Sequence, residues 1–359
     1  MEAGPQNVTK GSNICLTMSA PSNSTQQQPT KPDPSAKYTA TPSFVDILNE
    51  ANAPLDQLKK RQSLLSRLDD ALTKKYKAKN RTLIYLLRFG HPRSMMSSAD
   101  ITTLEAALAS ITGADQINLL LQSPGGDGAI VEKLVEMCRA HLSGHKPKFR
   151  VIVPNIAKSA ATVMALGADS IVMGYCFELG PIDPQVPIAV SGTIQWVSAF
   201  AFVESRDKLM EQINAATANN TPTVGLLQQL AGLNIPFTTE MENHITFARK
   251  TATTLLEKYM FKVKFSKAQR TTKAEQTAEK LISKQLFPVH GHTISGATAK
   301  HDLGLEVELL ERTDPIWALI WEYYLRCEMQ MNFGAPAGTL KTKFFESSFA
   351  SLAINDTPN

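Results

Sequence analysis

Apolar residues follow two different rhythms along this chain, and the change between them divides it. From Phe44 to Lys79 they recur at helical spacing: Phe44, Ile47, Leu48, Leu55, Leu58, Leu64, Leu65, Leu68 and Leu72, with charged residues between. This predicts one or two amphipathic helices over 42–80. Thr82 to Leu87 is then an almost unbroken apolar run, the signature of a strand covered on both faces. The stretches 117–121, 149–153 and 170–173 repeat it. Between them lie helical patterns: one opened by Ser98-Ala99-Asp100 and running to Ile111, one over 129–142 with Ile130, Leu134, Val135 and Met137 on its apolar face, and a short one of small residues over 159–166. Strand–helix alternation of this kind predicts an α/β fold, a mainly parallel sheet with flanking helices.

After Gly180-Pro181-Ile182-Asp183-Pro184 the helical period takes over. Helices are expected over 194–218, 224–231, 239–263 and 268–283, forming a helical C-terminal region. A short helix over 294–302, a strand over 304–309 and a helix over 315–331 follow. The last carries Trp317, Trp321, Tyr323 and Tyr324, an aromatic set suited to the core or to a subunit interface. Residues 1–41 are rich in Ser, Thr, Gln, Asn and Pro and are expected to be a disordered arm. The division is thus a disordered arm (1–41), an amphipathic helical segment (42–80), one α/β domain with its helical region (81–331) and a flexible tail (332–359).

Composition narrows the function classes. The chain has 359 residues, 43% hydrophobic and 19% charged, and a formal net charge of +4, with no basic stripe. That argues against nucleic-acid partners. No run of about 18 apolar residues exists, so no membrane span is expected, and the first residues show no secretory pattern. The four cysteines, Cys15, Cys138, Cys176 and Cys327, form no C-x-x-C pair. They read as reduced thiols of a cytoplasmic protein without a zinc site.

The candidate chemistry sits at two strand ends. Gly125-Gly126 follows the second strand, and Ser159, flanked by Ala157, Ala160 and Ala161, follows the third. Glycines allow backbone N–H groups to approach a carbonyl closely, and the helix that follows adds its positive end. A serine on a strand-to-helix turn can serve as nucleophile, with the N–H of Ala160 as a second oxyanion donor. Each segment alone is also an ordinary tight turn or helix cap. Together they point to acyl transfer by a serine hydrolase, most simply a peptidase.

Other groups have weaker claims. Lys158 adjoins the serine, but side chains at a helix start diverge. Asp183 either orients a base or closes an Asp-Pro turn. His290 and His292 share a face and read as a surface loop, a base or half a metal site. His141 and His145 suit a helix C-terminus.

The stretch 83–185 resembles the ClpP/crotonase superfamily, and within it the serine dehydrogenase proteinase family, related to signal peptide peptidase A. The resemblance is carried by Leu121-Gln122-Ser123-Pro124-Gly125-Gly126-Asp127, by Ala157-Lys158-Ser159-Ala160-Ala161-Thr162 and by Glu178-Leu179-Gly180-Pro181-Ile182-Asp183-Pro184-Gln185. Residues 292–305 resemble its closing element. The resemblance implies Ser159 as nucleophile, Gly126 and Ala160 as oxyanion donors with Gly125 shaping the turn, substrate backbone added as a strand along that turn, a peptide or unfolded-protein substrate, and a homo-oligomer of rings or stacked trimers. The Clp protease subunit has a histidine about 25 residues after its serine; here that region is Pro181-Ile182-Asp183-Pro184. Relatives of signal peptide peptidase use a lysine, and Lys208 stands nearest that distance. A lysine base must be neutral, which requires burial beside apolar groups. No cofactor or metal is implied, and no G-x-G-x-x-G follows a strand.

Two alternatives keep the fold. A crotonase-type acyl-CoA enzyme would use the same amide donors for a thioester enolate, with a glutamate as acid and base. A catalytically degenerate scaffold would use the helical region and the N-terminal arm for docking.

Overall fold

The computed structural model describes residues 42–50, 54–145, 147–174, 176–333 and 340–355. The arm expected to be disordered lies outside the described residues. The amphipathic segment forms α1 (Phe44–Glu50) and α2 (Pro54–Tyr76). Ile47, Leu64, Leu65, Leu68 and Leu72 are buried, as their spacing requires.

The apolar runs become strands with helices between them: β1 (Asn80–Leu87), α3 (Asp100–Ala109), β2 (Gln116–Gln122), α4 (Val131–Ala140), β3 (Lys148–Val153), β4 (Ile156–Ala157), α5 (Ala160–Leu166), β5 (Ser170–Gly174) and β6 (Glu178–Leu179). Strands β1, β2, β3 and β5 pair in parallel. Leu83 to Leu87 and Leu119 to Leu121 are sealed from solvent, which accounts for their lack of polar alternation. Helices α3, α4 and α5 cover the sheet.

The region after Pro184 departs from expectation at its start. Residues 194–198 are not the first turns of a helix. They form β8 (Thr193–Ser198), paired antiparallel with β7 (Gln185–Val190). Ser191 and Gly192 take φ values of 51° and 80°, the two-residue turn that right-twisted hairpins favour. The helical arm begins at α6 (Ala199–Ala218), followed by α7 (Val224–Ala231) and α8 (Ile235–Leu255). Helix α8 starts four residues before its expected position, because Asn234 accepts the Phe237 N–H at 3.1 Å and Pro236 occupies the first turn. A single π turn, Leu256–Met260, extends it. Then come α9 (Lys267–Ile282), β9 (Ile294–Ser295), α10 (Gly296–His301), β10 (Val307–Leu310) and α11 (Pro315–Asn332). The aromatic set on α11 is core: Trp317, Tyr323 and Tyr324 are buried, and Trp317 packs on Phe177 with centroids 4.7 Å apart.

The tail expected to be flexible is part of the sheet instead. β11 (Lys341–Ser347) runs antiparallel along β1, and β12 (Ser351–Asn355) along β11. The order is β10-β5-β3-β2-β1-β11-β12. The charged residues that make this tail look solvated are neutralised inside. Glu346 receives Arg61 at 2.8 and 3.0 Å and the Tyr323 hydroxyl at 2.5 Å. Lys343 donates to Asp100 at 2.7 and 2.9 Å and to the Met95 carbonyl at 2.7 Å. Phe344 and Phe345 fill the faces between.

One buried charge lacks such a partner. Burial pushes the Asp69 carboxyl up to about 6, against weaker opposition from the neighbouring Thr82, from the charge of Arg81, 3.9 Å away, and from the Ser348 hydroxyl that donates to it at 3.1 Å. An acid whose folded value exceeds its unfolded one favours folding at low pH, and that benefit is lost as pH rises through about 4 to 6. Asp69→Asn is therefore expected to raise stability above pH 6, with a ceiling of about 3 kcal/mol. The gain should vanish below about pH 4. Urea titrations at pH 7.5 and 3.8 check both halves.

No described helix is long and apolar enough to cross a membrane.

Candidate active site

Two strand ends are stitched together just ahead of the candidate residues. Ser123 and Ala157 form a parallel bridge, with Ser123 N–H donating to Ile156 O at 3.2 Å and Lys158 N–H to Ser123 O at 3.0 Å. Two residues beyond each bridge partner stand Gly125 and Ser159, so the stitch fixes their separation. A Cβ on Gly125 would lie 2.9 Å from the Ser159 Cβ and 3.4 Å from the Ala160 nitrogen.

The turn requires its glycines. Gly125 and Gly126 have φ of 108° and 143°, a region side chains rarely adopt. A Cβ on Gly126 would meet the Met96 backbone at 2.4 Å. Met96 pairs with one edge of the turn: its N–H donates to Gly125 O at 2.8 Å, and Asp127 N–H donates to Met96 O at 2.9 Å. By the alternation of a parallel ladder, Gly126 N–H faces the other way. Among the described residues no backbone acceptor in the protein takes the N–H of Gly126 or of Ala160.

Ser159 precedes α5 with φ 51° and ψ −118°, and its side chain caps no helical N–H. A non-glycine residue held there stores about 1–3 kcal/mol of strain. The surroundings enforce it. The buried Thr162 hydroxyl lies 2.8 Å from Ala157 O and 2.9 Å from Gly180 O, its one proton available to either, and accepts the Gly180 N–H at 3.1 Å. Lys158 turns away from Ser159 into a buried pair with Glu178 at 2.5 Å and reaches the His292 carbonyl at 3.1 Å. Such a strained strand-to-helix serine is the geometry of a nucleophile elbow.

A cavity of about 660 Å³ lies over this turn. Ser159, Ala160 and Gly126 line it, with Met95 and Met96, Ile182 and Pro184, Trp196 of β8, and a face of α8. That face presents Glu240, His244 and Phe247.

The structure thus brings together Ser159, Gly125, Gly126 and Ala160. It places the other candidates elsewhere. Lys208 is on α6 with its side chain 73% exposed, 3.9 Å from Glu204, and is not among the residues lining the cavity. Asp183 is buried between cavity-lining neighbours but bonds outward, to Ser198 at 2.5 Å, with Lys284 at 2.8 Å and His290 at 3.5 Å. Burial raises its carboxyl, yet His290, Lys284 and Ser198 together outweigh that and hold it below the usual carboxylate range. His141 ends α4, its Nδ1 at 3.0 Å from Met137 O. Among the described residues no three His, Cys, Asp or Glu side chains are placed to hold a metal ion.

Sequence reasoning did not single out Glu240 and His244. Their i, i+4 spacing on a helix was a signal, but the folding of that helix over Ser159 is a long-range fact that local pattern does not carry.

Residues 58–208 match the family described as ClpP-like SDH-type serine proteinase. Two uncharacterized proteins of Methanocaldococcus jannaschii are similar at 41% and 37% identity over 70 residues, 20% of this chain and 23% of each relative. The matches therefore span under a quarter of the length of those relatives. Among solved structures, a point mutant of the 1510-N membrane-bound stomatin-specific protease aligns with 60% of this chain and 75% of its own, at 15% identity and a TM-score of 0.36.

Proposed function

We propose that this chain, whose residues 58–208 belong to the ClpP-like SDH-type serine proteinase family, is a serine peptidase that cleaves peptide bonds through an acyl-enzyme on Ser159. The observation that carries the reading is the meeting of a strained, uncapped serine with two backbone N–H groups that no backbone carbonyl takes among the described residues. Ser159 Oγ adds to the scissile carbonyl. The developing oxyanion lies between the Gly126 and Ala160 N–H groups, with the N-terminus of α5 behind it. Expulsion of the amine leaves the acyl-enzyme, which water hydrolyses.

The substrate is a peptide or an unfolded protein segment. Met96 already covers one edge of the glycine turn, so an extended substrate strand has the opposite edge, on the Gly126 N–H side. Homo-oligomer formation belongs to the same reading, with Ile194 and Trp196 on the projecting hairpin exposed at 69% and 52%. So does a reducing, cytoplasmic setting, in which Cys138, Cys176 and Cys327 stay free thiols. The chemistry needs no metal or organic cofactor.

Unfolded casein tests the reading. The protein is expected to release peptides from it, and a fluorophosphonate is expected to stop the release at one equivalent per chain. Hydration of an enoyl-CoA thioester with no casein cleavage would instead favour the crotonase-type reaction. Absence of both activities would favour the scaffold.

A further inference from the structure

We infer that His244 of α8 is the group that takes the proton from Ser159 Oγ. The inference rests on the peptidase reading and supplies its missing base. Among the described residues, three ionisable side chains line the cavity over Ser159: Asp127, Glu240 and His244. Asp127 is committed to its own turn, accepting the Ala129 N–H at 2.9 Å. Glu240 stands one helical turn before His244, its carboxylate 3.8 Å from His244 Nε2. His244 is thus the basic side chain among the residues lining the cavity, half-exposed and with a carboxylate beside it. Glu240 lies on the Nε2 side of the ring, and the resting proton is assigned to that nitrogen. Nδ1 then keeps the lone pair that accepts.

The other bases are held away. Lys208 projects from α6 into solvent, Lys158 is locked to Glu178, and His290 sits against Asp183 outside the cavity lining. Helix α8 is anchored where it matters: Thr251, Ala252 and Leu255 are buried, while Glu240, His244, Phe247, Ala248 and Thr251 all line the cavity. The half that carries Glu240 and His244 is held as well, with Met241 and Ile245 buried against Ala199 of α6. Hydrogen bonds of this type are often long in the free enzyme and shorten with substrate bound.

The step balances as follows. The Oγ–H bond breaks and its proton moves to His244 Nδ1 as the Oγ–C bond forms. The carbonyl electron pair moves to the oxygen held by Gly126 and Ala160. When the C–N bond breaks, His244 returns the proton to the leaving amine. A water molecule then repeats the sequence on the acyl-enzyme, with His244 again accepting and returning one proton.

The test compares the rate of fluorophosphonate labelling at Ser159, and of casein cleavage, in wild type, His244→Ala, His244→Gln and Lys208→Ala. Both His244 variants are expected to lose about 10²–10⁴-fold in rate. Added imidazole should restore at least tenfold to the alanine variant, which has room for it, and nothing to the glutamine variant. Rescue of this kind does not occur when a substitution merely harms folding, and unchanged melting profiles confirm that. The inference is overturned if His244→Ala keeps more than a third of the wild-type rate, or loses it without imidazole rescue, or if Lys208→Ala alone removes it; in those cases the peptidase reading stands with another base. If the wild type itself neither labels at Ser159 nor cleaves casein, the peptidase reading fails and the inference falls with it.

Discussion

Replacing Ser159 with alanine is expected to lower peptide hydrolysis by about 10⁴–10⁶-fold, the loss seen when a serine nucleophile is removed from an otherwise intact site. Thermal stability should scarcely move, because the hydroxyl caps no helical N–H. The backbone gives a second reading of the same position. Its φ of 51° and ψ of −118° cost any residue with a Cβ about 1–3 kcal/mol. Ser159→Gly should therefore be as inactive as the alanine variant and more stable than it, by about 1 kcal/mol. That pairing of lost activity with gained stability is the result expected if Ser159 is the nucleophile we propose. Calorimetry and casein turnover on the two variants read both quantities.

Gly126→Ala is expected to cost at least 10²–10³-fold in kcat/KM, the loss of one oxyanion donor. The added methyl would sit 2.4 Å from Met96 O and 2.5 Å from Met96 N, and φ is 143°. The obstacle is backbone, so no rotamer change relieves it. Either the glycine turn or the Met95-Met96 segment must shift, and the latter is pinned by Lys343 through the Met95 carbonyl. The N–H therefore loses its aim. Gly225→Ala provides the contrast. It lies in α7 with nothing within 4 Å of the added carbon. It should leave kcat/KM unchanged and add about 0.5–1 kcal/mol of stability.

The parallel sheet was legible because strands covered on both faces need unbroken apolar runs, as in Leu83–Leu87. That the glycine turn and Ser159 lie side by side was legible because few residue types tolerate those conformations at two neighbouring strand ends. Strand β11 was not, since Lys341, Lys343 and Glu346 look like a solvated stretch until Asp100 and Arg61 are brought beside them. Strand β8 was misread because Ile194-Gln195-Trp196-Val197 abuts a genuine helix without a breaker between them. The base we propose is the part of the account least legible in the sequence. Distance along the chain favoured Lys208, whereas the cavity receives its imidazole from α8, some 85 residues beyond the serine. Only packing of α8 on α5 establishes that neighbourhood.

Mass-spectrometric mapping of the fluorophosphonate-treated protein tests the central claim most directly. The account predicts a single adduct per chain, on the tryptic peptide that begins at Ser159, appearing in step with the loss of casein cleavage. An adduct on a different serine, or continued casein cleavage by a protein fully modified at Ser159, would contradict it.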